Sequence, residues 1–454
     1  MNRTIRKRYW VPALGAALVL ASAIVGAGSP LASAQSPGPA SIDPGPQVCG
    51  TDSGTGCHPE SERVDLYKPV FSNPTEVTNP LHPVGSSLQS VVMLGESDGE
   101  KLRVEVTLLP ETKLIDLGGG KTVETLVSQY TAYLDGRIHE IALDFYAQDD
   151  LGAVWYLGED VFNYEDGEVA DTDGTWLAGR DGPAAMIMPA NPQVGDVYRP
   201  ENAPGFVFEE VIVTDVGVTI DGPRGPIDGA ITIDELHMDG THEDKTFAPG
   251  YGEFVAGDEH LALAVPTDAL PGPTPYRLRV IEAQSDEVHD AIEGENWNRA
   301  ASRLAKITNA WDSYKQGQVP PLLEAQMDQA LESLGDAIDA QDTKEAAHAA
   351  IDVAQANLDL KLRYRPQPQI DRARFELWGE QLLIDADEED LAGVLGDVTM
   401  LEWTRDRFAH TLRPFDANRI DRRLAAVRDA VDEEDLGAAA SATERLLDAI
   451  ERAR

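Results

Sequence analysis

Histidines and clustered carboxylates are the side chains whose spacing invites a chemical reading. His237 and His242 flank an Asp239-Gly240 turn, and His260 follows downstream. If strands bring them together, the three imidazoles can ligate a divalent metal such as copper. Glu345-x-x-His348 places a carboxylate and an imidazole on one helix face, the spacing used by ferritin-like di-iron bundles. Such a site needs two of these motifs and two further glutamates, and Asp286-x-x-His289 is a poor second. Glu165, Asp166, Glu168, Asp171 and Asp173 crowd one short stretch and suit a hard cation, although such a run is more often a solvated turn. Read as a calcium loop, Asp171-x-Asp173-Gly174 would put Val169 and Arg180 at the first and last ligand positions, and neither binds calcium.

Signatures of catalysis are missing. There is no G-x-S-x-G elbow, no H-E-x-x-H and no phosphate-binding loop. His139-Glu140 and His242-Glu243 begin like a zinc protease motif but lack its second histidine. Binding comes first among the expectations, and an enzyme with no local signature, such as a carboxylate-pair hydrolase, comes last. Trp155, Tyr156, Tyr198, Phe247 and Tyr251 can line the mouth of a pocket, or they can form an aromatic core cluster.

The elements that must position these residues fall into two kinds. Residues 63–268 read as short strands with turns about every ten residues, an antiparallel β domain built as a barrel or a sandwich. Its clearest hairpin runs from Ile138 to Asp160. Ile141, Leu143, Phe145 and Ala147 alternate with Ala142, Asp144 and Tyr146, the period of a half-buried strand. Asp149, Asp150 and Gly152 then supply turn chemistry before Val154 to Leu157. Residues 269–275 are a proline-rich spacer.

After the spacer, residues 276–454 carry helical periodicity and an internal repeat of about 46 residues. Ile292, Ile338, Ile384 and Val431 occupy equivalent places, as do Ala300, Ala346, Ala392 and Ala439. An acidic or polar break precedes each alanine and is suited to capping a new helix. The repeat predicts four helical hairpins, arranged as two four-helix bundles or as a curved solenoid. The fold class is therefore α+β.

The chain opens with Arg3, Arg6, Lys7 and Arg8, an apolar run from Val11 to Ala27 and Ala32-Ser33-Ala34. That is the pattern of a signal peptide over 1–34, and it predicts a secreted or extracytoplasmic protein cleaved near Ala34; retention as an anchor is the alternative. Residues 35–62 read as a disordered linker. Within it Cys49 and Cys57 are expected to form a disulfide outside the cytoplasm. The net charge of −42 repels phosphate backbones, which argues against nucleic acid, and no later stretch is long and apolar enough to span a bilayer. An acidic surface serves solubility first, and it also favours cations.

Three blocks, FYAQDDLGAVWYLGED from Phe145, MPANPQVGDVYRPENAPG from Met188 and KTFAPGYGEF from Lys245, resemble an uncharacterised family of secreted bacterial proteins. The resemblance covers most of Val70 to Val265. Ala153 stands where that pattern usually has Asn, and the resemblance implies no activity and no binding residues. Two functional expectations follow. The first is a non-catalytic binding protein, with a small apolar ligand in the β domain and a protein partner on the helical domain. The alternative is a metal-ion-binding protein using a divalent ion on acidic or histidine clusters.

Overall fold

The structure is a computed structural model that describes residues 56–203 and 205–453. The leader and Cys49 lie outside the described residues, and with them the expected Cys49–Cys57 bridge. The end of the expected linker is held in place: Cys57 and His58 donate their backbone N–H groups to Glu210 at 2.6 and 3.0 Å.

Among the described residues, fifteen strands form one antiparallel sheet. They are β1 Ser90–Ser97, β2 Glu100–Asp116, β3 Thr122–Leu134, β4 Arg137–Gln148, β5 Val154–Glu165, β6 Glu168–Asp171, β7 Trp176–Leu177, β8 Ala185–Met188, β9 Val197–Tyr198, β10 Asn202–Ala203, β11 Val207–Gly222, β12 Gly225–His237, β13 His242–Ala248, β14 Gly252–Ala256 and β15 Glu259–Val265. Local chemistry sets the turns. Asp98-Gly99, Asp135-Gly136 and Asp166-Gly167 have positive φ at both residues, the backbone of two-residue hairpins that match strand twist. The main path runs β10 to β15 and then β1 to β6 without closing into a barrel. The sheet nevertheless folds over on itself. Val211, Val213 and Ile233 from one end share a core with Val154, Tyr156 and Leu157 from the other.

The half-buried reading of β4 needs correction. Ala142, Asp144 and Tyr146 are as buried as Ile141, Phe145 and Ala147. Period-two alternation predicts one wet face, but here the folded sheet covers one side of the strand while Met400 packs against Ile138 and Ile141 on the other.

Among the described residues, eight helices follow: α1 Tyr276–Glu293, α2 Trp297–Tyr314, α3 Pro321–Ala340, α4 Thr343–Leu362, α5 Gln367–Asp387, α6 Leu391–Phe408, α7 Pro414–Asp432 and α8 Leu436–Glu451. Each hairpin turns in the same way. Glu295, Gln341, Glu389 and Glu434 take left-handed backbone, and the next residue, Asn296, Asp342, Asp390 or Asp435, accepts an N–H from the new helix. Ala300, Ala346 and Ala439 are fully buried just past these turns, which lets paired helices approach closely. α1 to α4 contact one another in a closed ring, α5 to α8 do the same, and α4 meets α5. The repeat is thus two four-helix bundles rather than a solenoid.

The helices do not swing free of the sheet. The spacer is pinned by Leu270 N–H to the Arg363 carbonyl at 2.7 Å and by Arg365 to Thr274 at 2.7 Å. Arg103 on β2 bonds Asp359 on α4 through both terminal nitrogens at 2.7 and 2.8 Å. Arg374 on α5 joins Asp359 at 2.8 Å and Asp371 at 3.0 Å. Asp359, Asp371 and Arg374 are almost fully buried. Among the described residues, no helix is long and apolar enough to cross a membrane.

Candidate functional site

Alternation along β11, β12 and β13 aims charged side chains inward. On β12, Glu235 and His237 continue the face begun by buried Ile231 and Ile233. On β11, Glu209 shares a face with Val211 and Val213, and on β13, Glu243 and Lys245 share one with Phe247. Register then stacks them. Glu209 pairs with His237, and Glu235 pairs with Glu243. Glu201, between β9 and β10, and Glu159 on β5 reach the same interior from the two ends of the sheet, and each carboxyl acts on the other.

Buried carboxylates here far outnumber buried cations. His237 Nδ1 lies 3.5 Å from Glu209 and its Nε2 lies 3.7 Å from Glu243. Lys245 contacts Glu235 and sits 3.4 Å from Glu243 and 4.0 Å from Glu253. Both oxygens of Glu159, Glu201 and Glu209 are buried without a hydrogen-bond partner, and all three residues are 0 % exposed. An unpaired buried carboxylate is costly, so such groups hold protons or meet a cation.

The electrostatics follow. Burial, and each other's charge, push Glu159 well above the ordinary carboxylate range; burial and Glu209 do the same to Glu201. Burial and Glu209 raise Glu235 to about 8 against the pull of Lys245 and His237. Burial opposes the charged form of His237, but Glu209, Glu243 and Glu235 outweigh it and hold the imidazole up at about 10.

A cavity of about 90 Å³ opens beside this interior. Val91, Met93, Val106, Leu108, Phe247 and Tyr251 give it an apolar wall. Asp144, Glu253, Tyr130 and Tyr146 add convergent polar groups. Asp144 accepts from Tyr156 at 2.9 Å, and burial with nearby Glu253 pushes it up to about 7 despite that bond. Three polar atoms on residues of the wall have no hydrogen-bond partner: Ser90 Oγ, Ser128 Oγ and His82 Nε2. Burial lowers His82 to about 4, so the imidazole is neutral. A more open groove of about 480 Å³ lies between β5–β6 and α6. Its one cation, Arg428, is already bound to Glu402 at 2.6 and 3.0 Å.

The five aromatics divide. Phe247 and Tyr251 line the cavity. Tyr156 stands one layer behind, stacked on Tyr146 at 5.0 Å. Trp155 is packed on Tyr67 and donates to Asp149 at 2.9 Å. Tyr198 is buried near Glu235 with its hydroxyl unpartnered.

The histidines divide too. His237 converges with Glu209 and Glu235, their ligand atoms all within 4.8 Å of one another. His242 is exposed and bonds Asp234 at 2.7 Å, and His260 is exposed on β15. Glu345 faces solvent while His348 turns to Glu388 at 3.5 Å and Asp385 at 3.9 Å on α5. Glu201, Glu209, Glu235 and Asp144 were not singled out from sequence. The available signal was parity, since Glu209 and Glu235 continue the apolar face of their strands.

The chain matches no family model and none of the curated proteins.

Proposed function

We propose that this is a binding protein whose β domain takes a small molecule with an apolar body and a protonated amine. The observation that carries the reading is the cavity wall. It is apolar, yet Asp144 and Glu253 converge on it, and Ser90, Ser128 and His82 hold polar atoms without a partner. Apolar area supplies affinity, while a few fixed polar groups orient the ligand. Acidic groups and the aromatic rings of Tyr130, Tyr146 and Tyr251 on one wall suit an organic ammonium, through charge and through the ring. A carboxylic acid would meet two further acidic groups and no Lys or Arg partner on this wall. The leader motif favours a place outside the cytoplasm in this reading, which also assigns a protein partner to the helical bundles.

Calorimetry with arylalkyl-amines, their matched carboxylic acids and their alcohols tests this on the full chain. The amines are expected to bind, and Asp144→Asn together with Glu253→Gln to weaken them at least about tenfold. Equal binding of acid and amine, or binding unchanged in the double variant, would refute the reading.

A further inference from the structure

We propose that Glu209, Glu235 and His237 form a site for a divalent transition-metal ion, separate from the amine cavity and independent of it. The three come from two paired strands. Glu209 sits directly across from His237, and Glu235 lies two residues back on the same face, so the register itself makes a triangle. Their ligand atoms lie within 4.8 Å of one another and all three side chains are buried. A mixed set of carboxylate oxygens and an imidazole nitrogen suits a divalent transition metal such as zinc or manganese, whereas calcium and magnesium prefer oxygen alone.

A second observation points to the same place. Glu201 is 0 % exposed, and neither of its oxygens has a hydrogen-bond partner. Its carboxyl is close enough to Glu209, Glu235 and His237 to feel each of them. A fourth buried carboxyl, on the segment between β9 and β10, therefore lies within the electrostatic reach of the triangle. Tyr198, on β9, buries an unpartnered hydroxyl within the influence of Glu235. Lys245 is the resident cation on this face, and its ammonium is already shared among Glu235, Glu243 and Glu253. His237 lies 3.5 Å from Glu209 and also acts on Glu201, and a metal ion would add positive charge among these carboxyls.

The test uses the full chain, stripped with chelator and titrated with ZnCl₂ and MnCl₂ by calorimetry and equilibrium dialysis. One equivalent is expected to bind, with a rise in melting temperature. Glu209→Gln and His237→Ala should each weaken binding by at least about tenfold. His242→Ala and His260→Ala, which alter exposed histidines, should leave it unchanged. Absence of binding would overturn the proposal, as would equal loss in His242→Ala or equal retention in His237→Ala. If the buried variants fail to fold, Co²⁺ added to the wild-type protein decides. A visible spectrum of nitrogen- and oxygen-ligated cobalt that survives in the His242→Ala/His260→Ala double variant supports the site, and a spectrum lost there refutes it.

Discussion

Arg407 on α6 donates to Glu105 on β2 at 2.5 Å, and both side chains are buried. Glu105 also accepts from Arg103 at 2.7 Å and lies 3.5 Å from Arg374. One carboxylate thus ties three guanidinium groups across the junction of sheet and helices. Burial alone would raise its pKa, but Arg374, Arg103 and Arg407 outweigh burial and hold it well below the usual carboxylate range.

Glu105→Gln should therefore be severely destabilising, because it leaves buried arginines short of an anion. Breaking a buried pair by removing one partner costs about 3–5 kcal/mol, readable as a drop in urea midpoint. The sign with pH follows from the depressed value. Stability from Glu105 is complete above its unfolded value near 4.5 and drains away as pH falls towards the folded value. The acid limb of the wild-type stability curve should flatten in the variant, and an unchanged acid limb would contradict this role.

Glu140 on β4 predicts the opposite slope. Burial, with Asp144 and Asp171 nearby, raises its carboxyl to about 8, and its Oε1 has no hydrogen-bond partner. A raised acid is stabilising only while protonated. Its contribution is full below the unfolded value near 4.5 and is lost as pH climbs through about 8. Glu140→Gln should remove that loss, stabilising the protein at pH 8 by on the order of a few kcal/mol and much less at pH 5. Denaturation at the two pH values checks it. An equal effect at both would mean that burial does not perturb this group.

These two glutamates show what sequence could and could not convey. The helical repeat was legible because its causes are local. The Asp and Asn caps and the buried alanines lie within a few residues of the turns they make. The β1–β2, β3–β4 and β5–β6 turns were legible for the same reason, through Asp-Gly pairs. Glu105 and Arg407 lie 302 residues apart and nothing local marks either one. The inward carboxylates were hidden differently. Alternation was read as apolar in and polar out, so Glu235 drew no attention and His237 was grouped with His242 and His260 rather than with the carboxyls, although Glu235 and His237 share parity with Ile231 and Ile233. The expectation of a half-dry β4 failed because the second layer over it comes from α6, outside any window that a strand reading spans.

The turn of the second helical hairpin offers a local test of the repeat. Gln341 holds a left-handed backbone with φ of 58°, and Asp342 caps α4 by accepting from Glu345 N–H. Gln341→Gly should stabilise by roughly 1 kcal/mol, since the left-handed region strains any residue with a Cβ. Asp342→Ala should cost about 1 kcal/mol through the lost cap. Opposite shifts in urea midpoint at adjacent positions are the expected result. Two shifts of the same sign would contradict the turn geometry shared by all four hairpins.

The docking of sheet on helix can be separated from backbone strain by comparing two glycines. Gly167 ends the β5–β6 turn with φ of 78°, and Gly120 sits in the β2–β3 turn with φ of 76°. An added Cβ at Gly120 meets open space. At Gly167 it would fall 2.4 Å from the Ala392 carbonyl oxygen and 2.5 Å from the Gly396 nitrogen, both backbone atoms of α6. Backbone cannot rotate aside as a side chain can, so the hairpin and the helix must part. Both alanine variants carry the same left-handed strain of roughly 1–2 kcal/mol. Gly167→Ala should cost about 1–3 kcal/mol more than Gly120→Ala, the penalty of forcing an extra methyl into a closed contact. It should also open the α6 segment to limited proteolysis at native conditions. Equal stability loss in the two variants would mean that the turn and α6 do not touch in solution.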